Sequence, residues 1–339
     1  MKIAIHHRPD SYSEQWIEYC QQHNIQYKIV DAYANDILEQ VADCDAFMWN
    51  FNNNIYKDHL LAKQLIYTIQ QMGKTVYPDY DTCWHYDDKV GQKYLLKSIN
   101  APLVPTYIFF RREEAYNWIK QTKFPKVFKL RSGASSKNVM LIKNARQAYK
   151  ITNKAFCRGF QKNNHLRRIA DRWIQYKKGF CTFKWFIKGI FSITPYKERF
   201  NKEEIGYVYF QDFVPNNNCD IRIFIIGNRA VFAKRMNMKN DFRASGSHNA
   251  VFDKEQMDIE FIKYGFNISK SLKMQSVAFD FLQDTDGNPI LAEISYYCGN
   301  NDYSPNGGYW TDDMQWNECK NINIGNWIIE DVIAKIENK

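Results

Sequence analysis

The sequence lacks the patterns that mark membrane, secreted and zinc-binding proteins. No apolar run among its 339 residues reaches the roughly 18 residues that a membrane-spanning helix needs. The first residues, 1–7, read as a short strand followed by charge rather than as the apolar core of a signal peptide. The 8 cysteines are scattered without a C-x-x-C pair or metal-ligand spacing, which favours reduced thiols over a disulfide framework. We therefore predict a cytoplasmic protein.

The sequence also lacks the two familiar phosphate-binding loops. Neither G-x-G-x-x-G nor G-x-x-x-x-G-K-[ST] occurs, so the dinucleotide-binding fingerprint and the P-loop are both excluded. Low-complexity linkers and internal repeats are absent from the sequence as well. The 45% hydrophobic and 16% aromatic content excludes a disordered protein, and 339 residues are enough for two or three lobes with a sizeable core.

Positive charge is concentrated in one stretch. The net charge is +9, yet residues 150–200 carry 13 Lys or Arg against 2 acids, which leaves the rest of the chain slightly acidic. Within this stretch we predict a helix from Asn164 to the residue before Gly179, with Arg167, Arg168 and Arg172 off its apolar face. Three interpretations stay open, namely solvated surface, recognition of an anionic acceptor, and binding of single-stranded nucleic acid.

The first 85 residues alternate between strand and helix patterns. Short apolar runs predict strands over 2–6, 26–30 and 46–50, and a helix over about 60–71 ends at Gly73. This βαβα order predicts a small parallel sheet with crossover helices.

Residues 86–143 contain a small-residue loop between two strands. We predict a helix that begins at Asp87-Asp88 and runs to about Ile99, a strand over 101–110, a helix over 113–122, and strands over 124–131 and 139–143. The loop between the last two strands contains Ser132, Gly133, Ala134, Ser135 and Ser136. Its backbone N–H groups could cover phosphates, with Lys129 at its root as a point charge, or it could be an ordinary polar hairpin loop.

Strand patterns return from residue 207. We predict strands over 208–214, 220–226 and 230–235, and alternation along the second places Asp220, Arg222 and Phe224 on one face. A polar loop over 237–249 contains Asp241 and Arg243, and a helix over about 254–272 follows.

The stretch Val277–Ser295 predicts a β-hairpin with two opposed acids. If Asp286-Gly287 forms a two-residue turn, Asp280 lies opposite Glu293, and Ser295 shares their face. The opposite face is then expected to carry Phe279, Phe281, Ala292 and Ile294. Two carboxylates about 5 Å apart repel each other, and an oxygen-only pair favours Mg²⁺ as the compensating cation. A solvated hairpin face with two unrelated acids is the alternative.

In this order, the motifs of residues 86–300 resemble the ATP-grasp superfamily of carboxylate–amine ligases, which includes D-alanine–D-alanine ligase, glutathione synthetase and the ribosomal-protein glutamate ligases. The motifs are Asp88-Lys89, Phe128-Lys129 before the small-residue loop, Gln211-Asp-Phe-Val214, Asp220-Ile-Arg222, Asp241-Phe-Arg243, and Asp280 with Glu293-Ile-Ser295. The resemblance implies an α/β (α+β) ATP-grasp fold. A small N-terminal parallel βαβ lobe (1–85) would precede two α+β lobes (86–206 and 207–339) that clasp ATP.

The resemblance also implies a role for each motif. Lys89 and Lys129 look like the lysines that hold the nucleotide phosphates, and residues 132–136 like the covering flap. The segment Gln211, Asp212, Phe213 and Val214 resembles the linker that contacts adenine. Asp220 is similar to the acid near the ribose, with Arg222 beside it, and Arg243 to the arginine that neutralises the γ-phosphate. Asp280 and Glu293 match the Mg²⁺ ligands, whereas Ser295 replaces the usual Asn and would be a weaker ligand.

The implied activity is ATP-dependent amide formation. A substrate carboxylate would take the γ-phosphoryl group of ATP, and an amine would then displace phosphate, with Mg²⁺ (two ions, or Mn²⁺) as cofactor. Phosphoryl transfer needs positioning and charge neutralisation rather than an enzyme nucleophile, so His6, His7 and His248 are interpreted as structural or substrate-contacting. A kinase that phosphorylates a hydroxyl, and a non-enzymatic anion or nucleic-acid binder, are the alternatives.

The amino-acid sequence of several motifs, such as Ala292-Glu-Ile-Ser-Tyr296, is similar to that in bacterial ATP-grasp proteins of surface-polysaccharide loci. That likeness implies amidation of an acidic sugar, and contact with a lipid-linked saccharide at the inner membrane face through the basic stretch.

Overall fold

The computed structural model describes residues 1–133, 138–160, 173, 176, 182–184, 187, 204–238, 241–244, 249–297 and 304–339. It forms two compact units, one made of Met1–Pro105 with Val214–Lys339 and the other of Thr106–Phe213. The predicted flap residues Ala134, Ser135 and Ser136, His248, and the helix predicted from Asn164 apart from Trp173 and Tyr176 lie outside the described residues. The division into domains 1–85, 86–206 and 207–339 stays a prediction.

The described strands include the predicted ones in their predicted order, together with others that were not predicted, among them those at 250–251, 308–311 and 316–318. They are β1 (Lys2–His6), β2 (Gln26–Val30), β3 (Ala46–Trp49), β4 (Thr75–Tyr77), β5 (Thr106–Phe109), β6 (Lys126–Lys129), β7 (Met140–Ile142), β8 (Val208–Asp212), β9 (Cys219–Ile226), β10 (Arg229–Met236), β11 (Ala250–Val251), β12 (Ser276–Gln283), β13 (Pro289–Ser295), β14 (Gly308–Thr311) and β15 (Trp316–Glu318).

The described α-helices lie between these strands in the chain, except the last, which follows them. They are α1 (Tyr12–Gln22), α2 (Ile37–Val41), α3 (Tyr56–Gln71), α4 (Tyr80–Cys83), α5 (Lys89–Ser98), α6 (Arg112–Gln121), α7 (Ala145–Cys157), α8 (Ile259–Ser271) and α9 (Ile324–Glu337). None of the helices in the described ranges is both long and apolar enough to cross a membrane.

The first unit contains a parallel and an antiparallel sheet that share one core. The parallel sheet has the strand order β2-β1-β3-β4, which confirms the predicted parallel lobe. The antiparallel sheet has the order β13-β12-β9-β10-β14-β15, with β11 also paired to β10. Ile3 and Ile5 of the parallel sheet pack in one cluster with Phe224 of β9, Ala278 of β12 and Ile328 of α9.

The face of the antiparallel sheet that contacts this shared core becomes charged further along the strands. Phe224 and Ala278 lie directly opposite each other on β9 and β12, and so do Arg222 and Asp280, two residues along each strand. Because strand residues two apart share a face, Arg222 and Asp280 continue the face that Phe224 and Ala278 bury. The other face packs on α8 through Phe279.

The β12–β13 hairpin confirms the predicted pairing of Asp280 with Glu293 but not its turn. Gln283 pairs with Pro289, so the connection is longer than the predicted Asp286-Gly287 turn. The Asp284 carboxylate accepts hydrogen bonds from the N–H groups of Asp286 (2.9 Å) and Asn288 (2.8 Å) and closes this loop.

A register shift between Asp280 and Phe281 compensates for the longer loop. Asp280 pairs with Glu293 whereas Phe281 pairs with Leu291, so Ala292 is the extra residue of a β-bulge. The expectation that Ala292 joins the buried face was therefore wrong, since Leu291 takes that place beside Phe281 in the core. Two departures from the predicted hairpin cancel, and the acids meet as predicted.

The second unit is a four-stranded antiparallel sheet with the order β5-β8-β6-β7, covered by helices α6 and α7. Its core contains Phe128 of β6, Phe210 of β8 and Ala148 of α7, all fully or almost fully buried. The predicted strands on either side of the small-residue loop are confirmed as β6 and β7, which pair antiparallel.

Candidate active site

The charged face of the antiparallel sheet brings two of the predicted site residues into direct contact. Arg222 on β9 donates to Asp280 on β12 through Nε (2.8 Å to Oδ1) and Nη2 (2.9 Å to Oδ2). These two bonds form a bidentate pair, the strongest geometry available to a guanidinium and a carboxylate. Arg235 on β10 approaches the same carboxylate, with Nη2 3.0 Å from Oδ2.

Arg235 joins Asp280 to the third predicted residue of this face, Asp220. Its Nε and Nη2 each lie 2.6 Å from a carboxylate oxygen of Asp220, opposite it on β9. Sequence reasoning did not identify Arg235. The signal was present, because a two-residue turn at Gly227-Asn228, as the structure has it, places residue 235 opposite residue 220. We call Asp220, Arg222, Arg235 and Asp280 the sheet cluster.

The electrostatics of the sheet cluster are set by burial and by alternating charge. Burial opposes ionisation of Asp280, but Arg222 and Arg235 hold the pKa of its carboxyl well below the usual range. Burial raises the pKa of Asp220, which Arg235 partly offsets and the charge of Asp280 reinforces. The two acids and two guanidinium groups balance, so the cluster is held together without a ligand.

Glu293, the second predicted metal ligand, is paired with the predicted phosphate lysine. Lys89 Nζ lies 2.9 Å from Glu293 Oε1, and Lys89 is only 5% exposed whereas the Glu293 side chain is 32% exposed. Burial disfavours the charged form of Lys89, yet Glu293 and Asp87 raise its pKa above the ordinary value. Lys89 is the first residue of α5, whose N-terminus is capped by the Asp88 side chain, as predicted. Lys89 is thus a permanent cation fixed beside an acid.

Ser295 lies on the strand of Glu293 and closes a local turn. Its Oγ donates to the carbonyl oxygen of Tyr297 (2.6 Å) and accepts from the N–H of the same residue (3.2 Å). A hydroxyl used in this way keeps at most one acceptor lone pair. A direct role of Ser295 as a metal ligand stays a prediction.

Arg243 is oriented by the aspartate two residues before it. Its Nη2 lies 2.7 Å from Asp241 Oδ2, and its backbone N–H donates to Asp241 Oδ1 over 3.1 Å. Asp241 thereby fixes both the backbone turn and the guanidinium of the predicted γ-phosphate arginine. That role for Arg243 is a prediction.

The predicted nucleotide residues of the second unit lie on β6 and β8. Gln211 is buried and donates from Nε2 to Thr106 Oγ1 (3.2 Å), and Asp212 is paired with Lys126 Nζ at 2.5 Å. Lys126 was not identified from the sequence, because its partner is set by the β6–β8 pairing of strands distant in the chain. Lys129 ends β6 and is half-buried.

The predicted linker and the start of the predicted flap lie next to these strands. The boundary between the two compact units falls after Phe213, inside the predicted linker Gln211–Val214. Ser132, at the start of the predicted flap, donates from Oγ to Glu204 Oε1 over 2.6 Å, and Gly133 follows it with a positive φ of 124°.

The donor set of the hairpin fits a magnesium ion. Asp280 and Glu293 are directly opposed on β12 and β13, and both offer carboxylate oxygens, the ligands that Mg²⁺ prefers. Each ionised carboxylate has about four acceptor positions. Three N–H groups occupy those of Asp280, and Lys89 occupies one of Glu293, so each acid can still offer an oxygen lone pair to a metal.

Part of the chain matches a known protein family, and most of the chain is similar to a known ligase. Residues 200–306 match the RimK-like ATP-grasp domain. The chain is also similar to the α-aminoadipate–LysW ligase LysX of Saccharolobus solfataricus, with 22% identity over 274 residues that cover 79% of this chain and 83% of that protein.

Solved structures share the fold at low sequence identity. D-cycloserine synthetase DcsG superimposes with a TM-score of 0.59 at 10% identity, covering 99% of this chain and 100% of that one. The ATP-grasp ligase PsnB, solved with a minimal precursor, Mg and ADP, gives 0.56 at 11% identity, covering 99% and 98%. A RimK-domain ATP-grasp protein of Sphaerobacter thermophilus gives 0.52 at 13% identity, covering 87% and 90%. The chain therefore has the ATP-grasp fold and carries a RimK-like ATP-grasp domain, which confirms the resemblance predicted from its motifs.

Proposed function

We propose that this chain is an ATP-dependent carboxylate–amine ligase that forms an amide and releases ADP and phosphate. The observation that carries the proposal is the directly opposed pair Asp280 and Glu293, each held by a cation, in a chain with a RimK-like ATP-grasp domain. The names of its relatives, among them an α-aminoadipate–LysW ligase and D-cycloserine synthetase, support the ligase class.

The residues have distinct proposed roles toward ATP. Lys89 and Lys129 would hold phosphate oxygens, and Arg243, oriented by Asp241, would face the γ-phosphate. Gln211 to Val214 would contact adenine through backbone groups, and Asp220 the ribose. Ser132 and Gly133 would belong to the phosphate-covering flap. Arg222 would act through Asp280, because its bidentate pair fixes the orientation of that carboxylate.

Asp280 and Glu293 would hold Mg²⁺, with Ser295 as a weaker additional ligand. When bound, Mg²⁺ neutralises charge on the phosphate oxygens of ATP. The side chains around the two acids have their own task. Arg222, Arg235 and Lys89 balance the negative charge of the acids and hold them in place before any ligand arrives, which reduces reorganisation during the reaction.

The proposed reaction has two steps, transfer of the γ-phosphoryl group and attack by the amine. A carboxylate oxygen of the substrate attacks the γ-phosphorus of ATP, the bond to the β-phosphate oxygen breaks, and ADP leaves. The amine then attacks the acyl carbon, phosphate leaves with the electron pair of its oxygen, and the amine loses a proton. Exclusion of water by the flap would protect the acyl phosphate from hydrolysis.

The relatives favour an amino acid or peptide as the substrate class. One is named for α-aminoadipate and LysW, and another was solved with a precursor peptide. A narrower proposal is that the substrate is an acidic sugar of a surface polysaccharide, bound through the basic residues 150–200 at a membrane face. The similarity of the motif sequences to proteins of surface-polysaccharide loci supports it.

The test is a screen for ADP release with purified protein, ATP and Mg²⁺ against panels of carboxylates and amines. The panels contain amino acids, short acidic peptides and uronic acids, and mass spectrometry identifies the product. An amide formed with one ADP per turnover supports the ligase. A stable phosphorylated product without amide formation would establish a kinase instead.

Glu293→Gln supplies the inactive variant for this screen. The change removes one charge at nearly constant volume from a side chain that is 32% exposed, so the protein should stay folded while ADP release collapses. Glu318→Gln, at an exposed position of β15, is the matched control and should keep wild-type turnover. Near-normal ADP release by folded Glu293→Gln protein would contradict the assignment of the hairpin as the metal site.

A further inference from the structure

The parallel sheet has a topological switch point at the carboxyl ends of β1 and β3. From β1 the chain proceeds to β2 on one side, and β3 then pairs with β1 on the other side. In open α/β sheets, ligands bind in the crevice outside the carboxyl ends of the strands at such a point. His7 and Arg8 follow β1, and Asn50 follows β3. We call Arg8 and Asn50 the switch-point donors.

The switch-point donors carry buried N–H groups that have no acceptor. Within the described part of the chain, neither Arg8 Nε nor Asn50 Nδ2 has a hydrogen-bond partner, although both atoms are buried. Asn50 is only 2% exposed. An unpaired buried donor costs about 1–3 kcal/mol, more when it is charged, so two at one place indicate that an acceptor belongs there.

The remaining contacts of the two side chains determine their orientation. The Tyr12 N–H, in the first turn of α1, donates to Asn50 Oδ1 (3.4 Å), which assigns the other amide atom as the unpaired Nδ2 donor. Arg8 Nη2 reaches the backbone oxygen of Asn50 over 3.4 Å, and Nη1 that of Pro9 over 3.5 Å. Both bonds are long, and among the described residues no carboxylate forms an ion pair with Arg8. Asp58 is a nearby acid that interacts with Arg8 electrostatically.

The backbone between β1 and α1 is fixed without using these donors. Ser13 Oγ accepts from the backbone N–H of Arg8 (3.0 Å) and contacts His7 Nδ1 (3.1 Å). Ser11 caps α1 through its side chain. The N-terminus of this 11-residue helix adds a partial positive charge beside Arg8 and Asn50. Arg8 and the helix N-terminus therefore favour an anion at this edge, whereas the nearby carboxyl of Asp58, which interacts electrostatically with Arg8, opposes one.

The same unit connects the switch-point donors to the acid pair. The Tyr12 ring packs edge-on against Tyr297 at 5.5 Å between centroids, and the Tyr296 hydroxyl donates to the backbone oxygen of Phe51 (2.6 Å). Tyr296 and Tyr297 directly follow Ser295, on the strand of Glu293. One short segment thus joins the end of β13 to the edge of the parallel sheet.

We propose that Arg8 and Asn50 bind a non-reacting carboxylate of the substrate, so that the substrate carries a second anionic group beside the one that reacts. This inference rests on the proposed ligase function and adds the substrate class, a dicarboxylate or an amino acid. Each orphaned N–H can donate to one oxygen of a carboxylate, and binding energy at this remote group would orient the reacting end.

The test observes the two donors directly and needs no turnover. The full chain, with Arg and Asn selectively labelled with ¹⁵N, is titrated with glutarate, inorganic phosphate and chloride at matched ionic strength. Arg8→Lys and Asn50→Asp assign the resonances. We expect glutarate to shift the Arg8 Nε–H and Asn50 Nδ2–H signals saturably, and chloride to leave them unchanged. A stronger response to phosphate, or no saturable response to glutarate, would overturn the proposal.

Affinity measurements on the same variants complete the test. Asn50→Asp keeps the shape and the acceptor for Tyr12 but replaces the donor by a negative charge, and Arg8→Lys keeps the charge but loses Nε. Both should weaken glutarate binding by about tenfold or more, whereas Arg111→Ala, an exposed arginine paired with Glu114, should not change it. Equal affinity in all variants would contradict the site. Because the readout is binding, its failure is distinct from absence of ligase activity.

Discussion

The two sheets of the first unit differ in whether their buried charged and polar side chains are paired. On the antiparallel sheet, Asp220 and Asp280 are each held by guanidinium groups at hydrogen-bonding distance, and the charges cancel. At the carboxyl edge of the parallel sheet, Arg8 and Asn50 carry donors that lack an acceptor in the described part of the chain. The charges of the first region are paired internally, and the second region has buried donors left unpaired.

This difference separates two ways of preparing a site for an anionic substrate. The sheet cluster uses internal ion pairs to fix carboxylates that would otherwise repel each other, so its geometry is set before binding. The switch-point donors have N–H groups that remain for a ligand to bond. Part of the free energy of binding would therefore come from removing the cost of leaving these buried donors unpaired. Variants of the first should therefore affect stability most, and variants of the second affinity.

The largest effect on stability is expected from Asp280→Asn. The change leaves Arg222 and Arg235 close together with one acid fewer, and breaking a buried pair in this way typically costs about 3–5 kcal/mol. Urea unfolding at neutral pH should show this loss, whereas Asp286→Asn at the exposed hairpin loop should stay within about 0.5 kcal/mol of wild type.

The pH dependence of Asp280 follows from its low pKa. Because the folded state holds the pKa below its unfolded value, the stabilisation is present above the unfolded value and is lost only as the pH falls through the folded one. Asp280→Asn should thus flatten the stability curve at strongly acidic pH. A variant as stable as wild type would mean that the cluster does not contribute as the contacts indicate.

Local patterns in the sequence were sufficient to predict the strands and the acid pair. Alternation along β9 placed Asp220, Arg222 and Phe224 on one face, and turn chemistry placed Asp280 opposite Glu293. The prediction of that pair succeeded although the register next to the loop differs by one residue from the expected one, because a bulge at Ala292 restores it at Asp280. Bulges carry little sequence signal, so this compensation could not have been predicted.

Contacts that depend on strand order lay beyond local reasoning. Arg222 meets Asp280 because β9 pairs with β12, strands separated by β10, β11 and α8 in the chain. Lys126 meets Asp212 through the similarly distant β6–β8 pairing. The switch-point donors were missed for a different reason. The familiar phosphate-binding loops are marked by glycines, whereas this edge presents side-chain donors, which carry no such local pattern.

A smaller, pH-dependent effect is expected at Asp331, which is only partly paired and so is intermediate between the sheet cluster and the switch-point donors. Arg229 Nη2 donates to Asp331 Oδ1, yet Asp331 Oδ2 and Arg229 Nε are buried without partners among the described residues. Burial raises the pKa of Asp331 to about 6, with Arg229 opposing and Glu330 reinforcing the shift.

The sign of the shift gives the direction of the effect. A carboxyl whose folded pKa is raised stabilises the fold at pH values below its unfolded pKa, and this contribution is lost as the pH rises through about 6. Because the side chain is 38% exposed, we expect about 1 kcal/mol after screening. Asp331→Asn should remove this decline between about pH 4 and pH 7, as measured by urea unfolding, and Asp286→Asn should retain it. An unchanged slope in Asp331→Asn would assign the decline to other groups.

The smallest effect is expected at Ser295, where the local turn and the proposed metal role compete. Asn can reproduce both contacts, because its side-chain oxygen can accept from the Tyr297 N–H and its amide can donate to the Tyr297 oxygen. Ser295→Asn should therefore change the free energy of unfolding by less than about 1 kcal/mol, whereas Ser295→Ala loses both bonds and should cost about 1 kcal/mol. In ADP-release assays at varied Mg²⁺, Ser295→Asn should tighten the Mg²⁺ dependence or leave it unchanged, since an amide oxygen reaches further than a hydroxyl. A large loss of activity in folded Ser295→Asn protein would mean instead that the hydroxyl, and the turn it closes before Tyr297, positions the substrate.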